Sequence, residues 1–227
     1  NFIVLFQPTD NASFTGVTAT KNYLLMQLLR DVKSSLVELQ FKQGKWVARN
    51  VNLPTMGAVG VSPLDSEKSD EYLLSYSDYL TPSVLHLAKA GTDQRELLKS
   101  APSFFDASPY QAVQKFATSK DGSKVPYFMV HKKDIKLDGS NPTLLYAYGG
   151  FQVSLTPSYS GGIGKAWLEK GGVYVVANIR GGGEYGPRWH QAALKQNRQR
   201  AYDDFAAVAE DLIASKITSA KHLGAMG

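Results

Sequence analysis

Hydrophobic and polar positions change rhythm about halfway along the chain. In the first hundred residues, short runs rich in leucine, aromatic and β-branched residues occur at 23–29, 36–41, 46–51, 71–76 and 83–87. They alternate with turn signals at Gln43-Gly44, Pro54, Pro63, Pro82 and Gly91, a pattern that predicts strands joined by tight links. Phe2-Ile3-Val4-Leu5-Phe6 reads as a further strand. Two stretches echo each other: Tyr23-Leu24-Leu25 matches Tyr72-Leu73-Leu74 at an offset of 49, and residues 35–39 parallel 83–87 at 48. A strand repeat of that length suits successive propeller blades, although any two hairpins share part of such a pattern.

From about residue 101 the texture differs. Ala101-Pro102-Ser103 and Asp106-Ala107-Ser108-Pro109 mark a crossing between domains. Beyond it, residues 113–117, the turn Asp121-Gly122 and residues 125–131 predict a β-hairpin. Near-continuous apolar runs at 143–148 and 172–179 predict strands buried on both faces of a sheet. Within 200–215, Phe205, Val208, Ala209, Leu212 and Ile213 fall at the spacing of an amphipathic helix. Thr218-Ser219 break that pattern, and 222–226 opens another buried strand. Strands alternating with helices predict an α/β layered domain in this half.

Composition narrows the function classes. The 227 residues are 43% hydrophobic and 20% charged, enough for one large or two smaller globular domains. Cysteine is absent, which excludes disulfides, a thiolate zinc site and a cysteine nucleophile, and leaves the compartment open between cytoplasm and periplasm. The 25 basic residues are scattered among 20 acidic ones, so nucleic acid is not an expected partner. No apolar stretch reaches the roughly 18 residues of a membrane span, and no membrane association is expected. The chain does not start with methionine and opens at once on an apolar run. It is therefore expected to be an internal part of a larger protein.

Gly181, Gly183 and Gly186 satisfy G-x-G-x-x-G after the 172–179 strand. Pro187 and Trp189-His190 follow at once, and Asp203 and Asp204 lie inside the helix, where a ribose-binding acid is out of place. The glycines are expected to turn the chain tightly over the sheet, and no cofactor is expected. Tyr148-Gly149-Gly150-Phe151 closes the 143–148 strand at the rim where α/β sheets bind ligands, so the Tyr148 hydroxyl is placed to donate to a ligand oxygen. The same pattern also fits two rings packing at the sheet edge. Arg180 and Glu184 bracket three glycines and are expected to pair across the loop. His86, His131, His190 and His222 show no metal-ligand spacing and are expected to be structural or solvent-facing. No G-x-S-x-G occurs.

Taken together, Tyr146-Ala147-Tyr148-Gly149-Gly150-Phe151, the run from Ala177 through Asn178-Ile179-Arg180-Gly181-Gly182-Gly183-Glu184-Tyr185-Gly186, Trp189-His190 and Asp203-Asp204-Phe205 resemble the prolyl oligopeptidase family of serine peptidases. Ser119-Lys120-Asp121-Gly122 before Val125-Pro126 resembles the first hairpin of that family's catalytic domain. The resemblance implies an α/β fold: the N-terminal part of an α/β-hydrolase domain at 107–227, preceded by about two blades of a β-propeller at 1–106. It implies hydrolysis of short proline-containing peptides after proline through an acyl-enzyme, with Tyr148 in the oxyanion hole and Phe151 lining the proline pocket. Serine, aspartate and histidine of the triad would lie outside the chain, Gly227 being the first glycine of the nucleophile elbow. The chain alone would then be inactive, and its partner would be the remainder of its own polypeptide. Two alternatives stay open: a non-catalytic peptide- or protein-binding module, and a related oligopeptidase of basic or acylamino specificity.

Overall fold

The structure, a computed structural model, describes residues 2–227; Asn1, the first residue of the expected propeller half, lies outside the described residues. Two compact units emerge, one of Asn1–Pro102 with Thr156–Tyr159, the other of Ser103–Leu155 with Ser160–Gly227.

The first unit holds two four-stranded antiparallel sheets. One contains β1 (Ala12–Ala19), β2 (Leu24–Arg30), β3 (Lys33–Lys42) and β4 (Lys45–Asn50), paired in chain order. The other repeats that order with β5 (Ala58–Pro63), β6 (Glu71–Ser77), β7 (Val84–Lys89) and β8 (Arg95–Ser100). The sequence echo has a structural meaning, because Leu24-Leu25 and Leu73-Leu74 lie in the second strand of their sheets, while 35–39 and 84–87 lie in the third. Leu25, Leu36 and Val51 form one buried cluster with Tyr72, Leu74, Ala88 and Ala90. Each large apolar side chain so buried contributes about 1.5–3 kcal/mol. Within this core the buried Glu38 carboxylate accepts from Tyr72 Oη at 3.2 Å, Arg49 Nη1 at 2.8 Å and the Gly91 N–H at 2.8 Å. A buried charge needs such partners to offset its desolvation.

The run Phe2 to Phe6 is not a strand. It pairs with nothing as a ladder, and Phe2, Ile3 and Val4 are exposed. Apolar content alone does not make a strand without a neighbour to satisfy its backbone. Pro63, expected in a link, ends β5.

The second unit is built on a five-stranded sheet. Its strands are β9 (Tyr110–Thr118), β10 (Lys124–Lys132), β11 (Thr143–Ala147), β12 (Val173–Ala177) and β13 (Leu223–Met226), in the order β13-β11-β12-β10-β9. β11 runs parallel to both β12 and β13, whereas β10 is antiparallel to β12 and β9. The carboxyl ends of β11, β12 and β13 therefore lie at the same end of the sheet as the turn between β9 and β10. Helix α1 (Gly161–Ala166) follows β11, the single turn α2 (Pro187–Gln191) follows β12, and α3 (Gln199–Ala214) leads toward β13. α3 buries Ala201, Asp204, Ala207, Val208 and Leu212, and Tyr127 Oη of β10 donates to its Asp211 Oδ2 at 2.5 Å. Ile213, expected in the apolar stripe, is instead exposed. The buried face is turned toward Ala201 and Asp204, because Asp204 is drawn inward by a partner described below.

Candidate functional site at the carboxyl ends of the parallel strands

β11 delivers Tyr148 to the rim of the sheet, where its side chain is 41% exposed. Ala147, Tyr148, Ile179, Arg198, Tyr202 and Phe205, with residues 225–227, line a cavity of about 360 Å³ there. A cavity beyond the carboxyl ends of parallel strands is where α/β sheets place ligands. Among the described residues the Tyr148 hydroxyl meets no hydrogen-bond partner, so it is available to a ligand oxygen.

The chain then turns sharply. Gly149 has φ +60°, and a Cβ there would lie 2.4 Å from Ile179 Cγ1, so only glycine fits. Phe151 (φ 51°) and Gln152 (φ 58°) are also left-handed, a state that costs about 1–3 kcal/mol for a residue with a side chain. The Val153 N–H donates to Gly150 O at 3.0 Å and closes the turn. Phe151 is 87% exposed and lies outside the cavity lining. Of the two residues singled out from sequence, Tyr148 stands in the cavity wall and Phe151 stands in solvent.

The glycine-rich loop lies against this turn. The Gln152 N–H donates to Gly181 O at 3.3 Å and the Gly183 N–H to Val153 O at 3.1 Å. A Cβ on Gly183 would sit 2.1 Å from Gln152 O, so the glycine permits backbone to lie on backbone. His190 Nδ1 lies 2.6 Å from Gly181 O and 3.1 Å from the Gln152 N–H, so in either tautomer the ring bridges the turn and the glycine-rich loop.

The expected Arg180–Glu184 pair does not form. Arg180 Nη2 donates to Asp204 Oδ1 at 2.6 Å, Nε to Asp204 Oδ2 at 2.9 Å, and Nη1 to Asp121 Oδ2 at 2.5 Å. Ser119 and Ser123 oxygens accept at 3.3 and 3.2 Å, and the Arg180 N–H also reaches Asp204 Oδ2 at 2.9 Å. Burial works against the guanidinium charge, yet the hydrogen bonds of Asp204 and Asp121 outweigh it and hold Arg180 above its ordinary value. Arg180's bonds hold the Asp121 carboxyl well below the usual carboxylate range. Glu184 is committed elsewhere: Oε1 accepts from the Leu155 N–H at 3.0 Å and from Asn178 Nδ2 at 3.2 Å. Burial pushes its carboxyl up, against those hydrogen bonds. Arg180 takes its carboxylate partners from 24 and 59 positions away, so proximity in sequence does not pair it with Glu184.

Sequence reasoning also missed Arg198. It precedes α3 in a polar stretch without apolar period, and its Nη1 donates to Gly149 O, while its guanidinium lies 5.5 Å from the Tyr202 ring centroid.

Comparison with known proteins agrees with this geometry. Two family models match: "Prolyl oligopeptidase, N-terminal beta-propeller domain" over residues 3–101, and "Prolyl oligopeptidase family" over residues 158–227. An uncharacterized peptidase of Sinorhizobium fredii is 53% identical over 225 residues, 99% of this chain and 31% of that protein. A prolyl endopeptidase of Elizabethkingia miricola is 36% identical over 212 residues, 93% of this chain and 29% of that protein. The solved structure of a post-proline cleaving enzyme from Rickettsia typhi superposes with a TM-score of 0.86 at 39% identity, covering 98% of this chain and 32% of that one. The chain thus spans about a third of the length of the relatives it matches. Blade-like sheets in one unit, the opening of a parallel α/β sheet in the other, and matches to both domain models place this chain in the prolyl oligopeptidase family of peptidases.

Proposed function

We propose that the protein containing this chain is a serine oligopeptidase that cleaves short peptides after proline, and that Tyr148 belongs to its oxyanion hole. A serine attacks the carbonyl carbon of the proline residue, and the carbonyl electron pair moves onto oxygen. The Tyr148 O–H donates to that oxyanion, which then collapses with loss of the amine; water later frees the acyl group. A donor aimed at charge that exists only in the transition state lowers the barrier without tightening ground-state binding. None of the chain's serines sits in a G-x-S-x-G turn, so on this reading the 227 residues supply the oxyanion side of the site, and the triad comes from elsewhere in the protein. Phe151, an apolar ring held out from the same turn, is assigned to the wall beside the substrate proline.

The observation that carries the proposal is the unpartnered Tyr148 hydroxyl in the wall of the strand-end cavity. In the full-length protein, Tyr148→Phe is expected to lower kcat on a post-proline peptide roughly 10²-fold with little change in KM, the cost of one oxyanion donor. An unchanged kcat would sink the assignment.

A further inference from the structure

Tyr148 has no hydrogen bond through its own side chain, so its hydroxyl goes where the backbone carries it. Below Tyr148 the strand is pinned by the pairing of Ala147 with Ala177. Beyond it, Gly149 is left-handed, and only glycine tolerates that geometry against Ile179. Left alone, such a residue is free to rotate its peptide plane, and any rotation swings the preceding tyrosine. Farther along, Gln152 and Val153 are anchored to the glycine-rich loop. Between these anchors the Gly149 carbonyl receives Arg198 Nη1.

We infer that Arg198 is a positioning residue for the reaction: its guanidinium holds the Gly149 peptide and thereby fixes where Tyr148 presents its hydroxyl. Arg198 is suited to this. It stands immediately before α3, whose Asp204 is locked to Arg180 at the end of β12, so it reaches across from a firmly seated helix. Its half-buried side chain is braced over the Tyr202 ring, which limits the motion of the guanidinium. A charged donor makes a stronger hydrogen bond than a neutral one. Arg198 also lines the cavity beside Tyr148. The inference rests on the reading of Tyr148 as an oxyanion donor.

The test is a double-mutant cycle in the full-length peptidase, with kcat and KM measured on a post-proline peptide. Arg198→Met keeps the unbranched apolar stem and removes the guanidinium donor. It is expected to lower kcat about 10-fold and change KM less than about 2-fold, the scale set by sub-ångström misplacement of a catalytic group. In a Tyr148→Phe background, Arg198→Met is expected to change kcat less than about 2-fold, because there is no hydroxyl left to misplace. Arg198→Lys retains a cation on a floppier stem and is expected to fall between wild type and Arg198→Met. If Arg198→Met fails to fold, the same cycle is read with Arg198→Lys. An equal loss in both backgrounds, or no loss in the wild-type background, overturns the inference while leaving Tyr148 its role. A Tyr148→Phe variant with full kcat removes the oxyanion reading itself and the inference with it.

Discussion

Phe151 keeps a left-handed backbone and an almost fully exposed ring, two costs with no packing return in this chain. Strain retained at an exposed position is a reason to look for a ligand. If the ring lies against a substrate proline, it acts through dispersion and excluded water without hydrogen bonds. Phe151→Ala is then expected to lower kcat/KM roughly 10-fold for peptides cut after proline and less than about 3-fold for those cut after alanine, a difference typical of one apolar contact. Equal losses on paired substrates would remove the pocket role. A compact motif singles out both Tyr148 and Phe151 in the sequence, and of the two only Tyr148 stands in the cavity wall. Arg198 and the true partners of Arg180 could not be picked out that way. The Arg180–Asp204 and Arg180–Asp121 bonds join residues 24 and 59 positions apart, and only the fold brings them together.

Seen as elements, Arg180 is the joint between the β9–β10 turn, the end of β12 and helix α3. Three of the segments that carry the family resemblance, around Asp121, Arg180 and Asp204, are spaced widely in sequence and meet on one guanidinium. Arg180→Met leaves Asp204 buried without its counter-charge, which costs about 3–5 kcal/mol. At about 2–4 °C per kcal/mol, the thermal transition of the domain containing the second unit should fall by roughly 10 °C in the full-length protein. A drop of only a degree or two by calorimetry would show that Asp204 finds another partner. The pH dependence follows from Asp121, whose carboxyl Arg180 holds low. A depressed folded value means its stabilisation is complete above the ordinary aspartate range near pH 4 and is lost as pH falls further. Asp121→Asn is therefore expected to flatten the fall in stability below about pH 4 and leave its slope near neutrality unchanged, as followed by urea unfolding at a series of pH values. Elements with a strong local period were legible: β2, β3, β6, β7, the β9–β10 hairpin, β11, β12 and α3 all lie where the sequence puts them. β1, β5 and β8 were not. β1 is bulged between Phe14 and Gly16, β5 is short with Gly60 at its centre, and β8 reads Arg-Glu-Leu-Leu-Lys-Ser, so neighbours rather than alternation make them strands.

At the scale of the whole molecule, each sheet has outer strands with apolar residues turned to solvent. Phe14 on β1 is 50% exposed and Leu97 on β8 is 57% exposed, with Val17, Leu98 and Phe116 of β9 also open. Outer strands of this kind present unpaired backbone together with apolar surface, which recruits other strands. The relatives this chain matches are about three times its length, and in such a protein further chain is available to cover these surfaces. The 227 residues expressed alone are accordingly expected to self-associate, eluting as oligomers by size exclusion with light scattering. They are also expected to give no turnover of a post-proline peptide, since they contain no G-x-S-x-G turn. A cooperative melt from a monomeric species would show that the two units satisfy their own edges. Hydrolysis blocked by a serine-directed inhibitor would place a nucleophile among residues that carry no elbow, and so would require a different active site from the one built around Tyr148.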